Sequence, residues 1–433
     1  MADSEYPGRS PAVEDDGDRC NLFRCLCCWR KNCPPHIPRV DPGREFVCTP
    51  ADGDHGASWS LLVGCTSLTV PFHNLRLHRF RVSASGRIMG HNNQLLEPLL
   101  TVSPDDDDGG GNNFISHASV ALASDGLRLY GFYTQVPGLN GVMSDDRLLT
   151  DDSTELRSAH RAFSLDLASK SVSSLPPLPV VHGAYLTVSA HGELWAPSIE
   201  LDEESPNKSG MRLVVHRLEH NGLSDQAACW ANVASLDIPY RPLVNSHLSG
   251  TYLQGYAVVR NRFILLSLID STFFCFDCAV GSLTTVTTAG KSYKYRPISS
   301  KAVHLGGDDG NIYFIKRAKL LAYKFSPEEG KLLAPPVEVD RLLPYDEEGY
   351  GSIVHLTQRM LCAVWINMND RCGCAKRHAL ITTFIVKGDH DRDGGCFAPS
   401  SVEVLHSTCR RVDMLRSKAA PRYEAFETFC FLQ

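Results

Sequence analysis

An all-β chain made of repeated four-stranded units is what the sequence predicts, and three observations carry the prediction. The first is the stretch Tyr256 to Val286, YAVVRNRFILLSLIDSTFFCFDCAVGSLTTV. AVV and FILLSLI flank Arg260, Asn261 and Arg262, where Asn supplies a left-handed turn conformation. FFCFDC follows Asp270 and Ser271 and leads through Ala279, Val280 and Gly281 to LTTV, so four short strands lie in a row. The second observation is ungapped spacing. Phe274, Phe276, Asp277, Leu283 and Val286 recur upstream as Phe163, Leu165, Asp166, Val172 and Leu175, and downstream as Tyr323, Phe325, Ser326, Leu332 and Pro335. A recurring supersecondary unit places its buried side chains at the same offsets each time, and Asp or Ser at a strand end bonds the backbone of the following turn. The third is an apolar pair of strands across a tight turn ahead of each copy: VALASDGLRLYGF (120–132), YLTVSAHGELWAP (185–197), YAVVRNRFILLSL (256–268), AVHLGGDDGNIYFI (302–315) and IVHLTQRMLCAVWI (353–366). WSLLVGCTSLTV (59–70) is expected as a sixth. Hairpin upon hairpin, six times over, predicts a single β-propeller of six four-stranded blades.

The bulk properties agree with one large repeat array. With 433 residues, 43% of them hydrophobic, the chain has ample material for a core. A net charge of −6 supplies no basic field for nucleic acid. No stretch approaches the ~18 consecutive apolar residues of a membrane-spanning helix. The opening MADSEYPGRSPAVEDDGD is acidic and lacks the apolar centre of a secretory signal, which predicts an intracellular protein, cytoplasmic or nuclear. On that expectation the 16 cysteines are reduced, the sequon Asn207-Lys208-Ser209 is unused, and Cys65, Cys362 and Cys430 pack in apolar strands.

Taken in order, residues 1–44 separate from a propeller spanning 45–433. The first 18 have the composition of a disordered segment. Cys20, Cys25, Cys27, Cys28, Cys33 and His36 follow in CNLFRCLCCWRKNCPPHIPR. A zinc site wants four N or S ligands, commonly from paired knuckles, and this run has no second C-x2-C pair. S-acylation is a second reading, because Cys27 and Cys28 sit beside Leu26, Trp29, Arg30 and Lys31, an aromatic and basic neighbourhood suited to peripheral membrane attachment. The favoured reading is a leader whose thiols carry no dedicated role.

Residues 45–100 are expected to form the first blade, with FVCTP as an entering strand. PDDDDGGGNNF (104–114) has no apolar face and reads as a solvated loop; VMSDDRLLTDDST (142–154), with Asp145, Asp146, Asp151 and Asp152, interrupts the second blade in the same way. That blade ends in LPPLP (175–179), since proline has no donor for a ladder. The third carries the insertion ELDEESPNKSG (200–210), and the fourth and fifth (254–339) contain the tightest copies. Looser copies start at Val215, Phe80 and Phe384.

The sixth unit (352–405) holds two possible metal motifs. Cys372, Cys374 and His378 are three soft ligands at an expected hairpin tip, which hold zinc only with a fourth from elsewhere. Asp389, Asp391, Asp393 and Gly394 match the opening of a calcium loop, but Ser400 stands where an EF-hand places its bidentate Glu. The preferred reading for both is a polar turn. HSTCRRVDMLRS, with the basic cluster Arg410, Arg411 and Arg416, is expected as a surface loop, and the final FETFCFLQ as the strand that pairs into the first blade and closes the ring.

An apolar strand ending in Asp, a short turn and a strand ending in LPPLP resembles the outer half of a kelch repeat, and residues 45–433 resemble the kelch-like, F-box-associated propeller proteins of plants. That resemblance implies a protein-binding propeller. The helical F-box module has no counterpart in residues 1–44, so a ligase role is not implied. Neither a G-x-S-x-G elbow nor a G-x-x-x-x-G-K phosphate loop is present, and isolated histidines such as His182, His304 and His355 read as structural. The sequence therefore assigns no catalytic, cofactor or metal residue, and predicts a scaffold that binds an unknown protein partner through propeller loops. Two alternatives are a propeller enzyme or small-molecule binder with its site at the channel mouth, and a membrane-tethered adaptor anchored at Cys27 and Cys28.

Overall fold

The computed structural model describes residues 58–67, 75–90, 95–102, 114–136, 159–179, 185–201, 211–220, 228–238, 253–289, 294–307, 310–316, 319–340, 342, 349–367, 376–390, 397–415 and 426–432. Among them every extended regular element is a strand, and no helix is long and apolar enough to cross a membrane. The first sheet holds β1 (Ser58–Ser67), β2 (Leu75–Ser83) and β3 (Glu97–Val102), the second β4 (Phe114–Leu122), β5 (Arg128–Val136), β6 (Ala159–Asp166) and β7 (Val172–Ser174). The third holds β8 (Val188–Ala190), β9 (Glu193–Leu201), β10 (Met211–His220) and β11 (Ala228–Ile238).

A ten-stranded sheet follows. Its first run is β12 (Leu253–Val259), β13 (Phe263–Leu268), β14 (Phe273–Asp277) and β15 (Ser282–Thr285), with the short β16 (Thr287–Thr288). Its second run is β17 (Ser300–His304), β18 (Asn311–Lys316), β19 (Lys319–Ser326), β20 (Lys331–Leu332) and β21 (Val337–Asp340). The last sheet is β22 (Gly349–Thr357), β23 (Met360–Asn367), β24 (Lys376–His390) and β25 (Phe397–Leu415). The terminal strand β26 (Phe426–Leu432) returns to β1, pairing Leu61 with Leu432 through Ser67 with Phe426, as the closing-strand expectation requires. The first sheet thus has the order β26-β1-β2-β3.

The repeat spacing has a structural cause. Leu165 faces Val172, Phe276 faces Leu283 and Phe325 faces Leu332, so all three outer hairpins share one register. Each turn ends in a left-handed residue at the same offset: Lys170 (φ 59°), Gly281 (φ 73°) and Gly330 (φ 56°). Asp166 Oδ1 accepts from the backbone N–H groups of Ala168 and Ser169, and Asp277 Oδ1 accepts from that of Ala279. The carboxylate therefore takes up turn donors that the ladder leaves unpaired. Val172 departs from the pattern, being half exposed on the outermost strand, where only one face has a neighbour to cover it.

Packing arranges the sheets like the blades of a propeller. Leu62, Leu77 and Phe431 of the first sheet pack on Ala118, Leu129 and Phe163 of the second. Phe132 and Leu178 of the second meet Tyr185, Ala196 and Leu218, and Trp195 and Leu213 of the third meet Ile264 and Phe276. Inside the ten-stranded sheet, Leu265 and Phe273 pack on Phe314 and Tyr323; beyond it, Tyr313 and Leu320 pack on Ile353 and Trp365. Val364 and Ile381 of the last sheet then pack on Leu61 and Phe80 of the first, so the series returns to its start. At ~1.5–3 kcal/mol for each fully buried large apolar side chain, these clusters dominate the cohesion between sheets.

Three expectations need correcting. WSLLVGCTSLTV is not a hairpin: β1 runs unbroken from Ser58 to Ser67, paired with β2 on one side and β26 on the other, so that Gly64 sits within the ladder between Leu77 and Phe429 rather than at a turn. HSTCRRVDML is not a surface loop: it is the second half of the 19-residue β25, and Arg410 is only 2% exposed, with its guanidinium donating to the Met89 carbonyl at 2.8 Å. Three adjacent basic and polar residues looked like loop chemistry, yet the period-2 partners Thr408, Arg410 and Val412 all face inward. Cys409 is disulfide-bonded, so the expectation of reduced thiols throughout fails there.

Strand direction assigns every connection to one of two ends. β12 and β17 pair in parallel from Gly255–Ser300 to Val258–Val303, and Leu95 bridges Arg411 in parallel, so corresponding strands of successive units run the same way. The turns at Asp125-Gly126, His191-Gly192, Arg260-Asn261 and Gln358, with the outer-hairpin turns, consequently lie at one end. At the other end the strands are joined by residues 103–113, 137–158, 202–210, 239–252 and 368–375, together with the short joins 269–272 and 317–318. Asp105–Asp108, Asp145, Asp146, Asp151, Asp152, Asp202, Glu203 and Glu204 all belong to these longer connections.

Candidate functional site

Most sequence-derived candidates fall outside the described residues: Cys20, Cys25, Cys27, Cys28, Cys33, His36, FVCTP, the acidic runs at 104–113 and 142–154, His182, Cys372, Cys374, Asp391, Asp393, Gly394 and Arg416. His378 lies in β24, in register with Arg411. Asp389 is also a ladder residue of β24, opposite Ala398. His355 Nε2 bonds the Gln358 carbonyl at 2.8 Å, an ordinary turn contact. His304, at the end of β17, has its pKa lowered to about 4, first by burial and then by the charge of Arg260.

The thiols in FFCFDC are held inert. Cys275 and Cys278 are both buried, and burial pushes each up to about 12, with the Asp277 charge adding to the shift. A thiol so raised supplies almost no thiolate at neutral pH.

The structure instead brings together a polar layer between the second and third sheets. His117 Nε2 lies 2.7 Å from the Tyr185 carbonyl, with the two rings edge to face at 4.5 Å. Thr134 Oγ1 donates to Tyr185 Oη at 3.3 Å and lies 3.1 Å from His160 Nδ1. Ser119 Oγ and Thr187 Oγ1 are 2.7 Å apart, and Thr187 N–H donates to Ser119 Oγ at 2.8 Å. Tyr185 bridges Ser198 of β9, which is fully buried, and two positions away Ala196 pairs with His216 of β10. His216 is 4% exposed; burial lowers its pKa, and the Ala196 carbonyl pulls it the other way.

Local sequence explains how these groups converge. In FISHASVAL, His117 and Ser119 interrupt an apolar strand, and a bulge between Ile115 and His117 lies just ahead of them. Thr134 closes β5 and His160 opens β6, so both stand at the end carrying the longer connections. Outward along the interface the chemistry turns apolar: Trp230 packs edge to face on Phe132 at 5.4 Å and donates its indole N–H to the Pro176 carbonyl at 3.1 Å. Hydrogen-bond exchange and proton transfer are what imidazoles, hydroxyls and a phenol can offer there. The available sequence signal was the run of inward-facing polar residues at period two, which reads as turn chemistry unless the partner strand is known.

No protein-family model matches the chain, and no curated protein does. Among solved structures it is similar to the Hadza microbial sialidase Hz136, at 10% identity and a TM-score of 0.43 over 70% of this chain and 60% of that one. The chain therefore spans less than two thirds of that protein's length.

Proposed function

We propose that the chain is a six-bladed, kelch-like propeller whose ten-stranded sheet is two blades joined edge to edge, and that it acts as a scaffold binding a protein partner through its longer connections. Strand direction is the observation that supports this reading: the connections 103–113, 137–158, 202–210, 239–252 and 368–375, two of them rich in Asp, all join strand ends on one side of the sheets. A rigid sheet array that varies its connections at a single end has the anatomy of a binding face. The test is affinity isolation of cross-linked complexes with the full chain and with variants in which 137–158 or 202–210 is replaced by an Asn-Gly turn. Loss of a specific partner in either variant, with retention when Ser124-Asp125-Gly126 is rebuilt, supports the scaffold. Retention through both replacements, or equal loss on rebuilding the turn, rejects it.

A second reading, a small-molecule or catalytic site at the channel mouth, is favoured by the polar layer at that same end. A ligand-panel thermal-shift screen distinguishes it: a stabilising ligand whose effect vanishes in a His117→Gln, His160→Gln variant supports chemistry, and no response to any ligand leaves the scaffold as the better account.

A further inference from the structure

We propose that the interface between the second and third sheets is an acid-sensitive joint, opened when histidines packed inside it take a second proton. Three histidines from three strands line it: His117 of β4 and His160 of β6 meet the Tyr185 ring, and His216 of β10 pairs with Ala196, two positions along β9 from the Ser198 that Tyr185 bridges. The other groups in the layer are hydroxyls: Ser119, Thr134, Tyr185, Thr187 and Ser198. From β11, Asn232 pairs opposite His216. From the second sheet, Tyr130 and Phe132 face the interface, with Trp230 against Phe132.

The charged groups lie at the margins. Glu200 and Arg212 pair across β9 and β10 two steps beyond Ser198, toward the longer connections, about 13 Å along the strand from Ala196 at ~3.3 Å per residue. Arg212 is bonded to Asp237 at 2.9 Å. Arg217, flanked by Glu193 and Glu219, lies against Trp195 and so faces the opposite interface, toward β12.

His216 supplies the trigger. Its Nδ1 is buried and meets no hydrogen-bond partner among the described residues, and the same holds for Ser198 Oγ. A neutral imidazole tolerates a bare nitrogen in such a place. An imidazolium puts an N–H and a positive charge there, and the nearest compensation is solvent. Separation of the two sheets lets water reach the ring. Elsewhere, His304 and His406 are half-buried and each faces arginine, and His78 of β2 is 1% exposed, so the first sheet carries a buried histidine of its own, whereas β13 and β14 have none.

The experiment is hydrogen exchange by mass spectrometry on the full chain at about pH 7.5 and pH 5.5, corrected for intrinsic rates. Amides of β8 and β9 are expected to exchange roughly tenfold faster at the lower pH, a tenfold change corresponding to one unit of pKa displacement, while those of the histidine-free β13 and β14 change little. His216→Gln, uncharged and similar in size, should abolish the acid response without raising exchange at neutral pH; His160→Gln serves as the second variant should His216→Gln not fold. Equal acceleration in β13 and β14, or an undiminished acid response in the variant that folds, overturns the proposal.

Discussion

Two junctions of this molecule hold neighbouring units together by different means. Between the second and third sheets the centre is polar, with imidazoles and hydroxyls bonding one another. Between the two runs of the ten-stranded sheet the centre is backbone and aromatic. There β12 and β17 form a four-pair parallel ladder, and behind it Tyr323 lies nearly parallel to Phe314 at 5.4 Å and to Tyr295 at 6.1 Å, with Phe273 edge-on to Tyr323 at 5.7 Å. Tyr323 Oη accepts from Arg296 N–H at 2.8 Å and donates to the Arg296 carbonyl at 2.6 Å, so even its polar atom serves the chain crossing between the runs. A backbone junction is specified by close approach, whereas a side-chain junction is specified by hydrogen-bond partners. The first fails sterically and the second fails by leaving a donor or acceptor alone.

The largest expected effect breaks the backbone junction. A Cβ added at Gly255 would stand 2.2 Å from the Ser300 carbonyl oxygen and 2.7 Å from its nitrogen, both backbone atoms that cannot rotate away. Ser300 is itself held at φ 62°, a strained value for a non-glycine residue. Gly255→Ala should therefore separate the two strands and cost about 4 kcal/mol or more, read as a lowered urea midpoint; a loss below ~1 kcal/mol would show that the ladder is dispensable.

The next effect comes from pH. His304 lies at the end of β17, and its folded pKa of about 4 is well below the ~6.5 of an unfolded histidine. The fold favours the neutral ring, so this contribution is complete above pH ~6.5 and is lost as the pH falls toward 4. Partial exposure reduces the displacement to about 2 kcal/mol of lost stability across that window. His304→Gln should flatten that part of the stability profile, and an unchanged profile would mean that the ring titrates alike in the folded and unfolded chain.

Ser119→Ala tests the polar junction at comparable or smaller size. It removes the acceptor of the Thr187 N–H and the partner of the Thr187 hydroxyl, in a place where Thr187 is fully buried. The expected cost is ~1–3 kcal/mol by thermal or urea unfolding, the penalty of stranding a buried donor. Ser119→Ala combined with Thr187→Val should cost less than the two single changes added together, because the double change removes both hydroxyls at once.

The outer hairpins beside the backbone junction were legible in the sequence and the polar junction was not. Phe274, Phe276 and Asp277 stand at offsets that reproduce the register of three hairpins, because period-2 burial and a fixed turn leave the spacing little freedom. The closing role of β26 was legible for a similar reason: an apolar strand with no following turn needs an edge to join. His117, Ser119, Thr134 and His160 were illegible as a group because they lie on three strands and meet only through pairing across a connection whose length the pattern does not constrain. Arg410 misled for the converse reason: a buried arginine is rare enough that a basic triplet reads as surface. The joining of β12 to β17 was also invisible, since it depends on Gly255 having no side chain and on Ser300 adopting a left-handed conformation.

The smallest effect concerns how the units flanking these junctions end their outer hairpins. The two runs of the ten-stranded sheet place Gly281 and Gly330 at the left-handed turn position, whereas the second sheet places Lys170 there, fully on the surface. A non-glycine residue in that conformation costs roughly 1–2 kcal/mol of backbone strain, and glycine returns ~0.4–1 kcal/mol of that through the greater freedom of its unfolded chain. Lys170→Gly should therefore stabilise the protein by about 0.5–1 kcal/mol. The opposite change, Gly281→Ala, should destabilise by a larger amount, because its Cβ also meets Val233 Cγ1 at 3.0 Å. Thermal melts of the two variants in parallel decide the matter: a shift upward for Lys170→Gly with one downward for Gly281→Ala identifies the turn as one motif under one constraint. Shifts of the same sign would mean that Lys170 is retained through contacts of its side chain, and that the second sheet departs from the other two in its turns as well as in its interior.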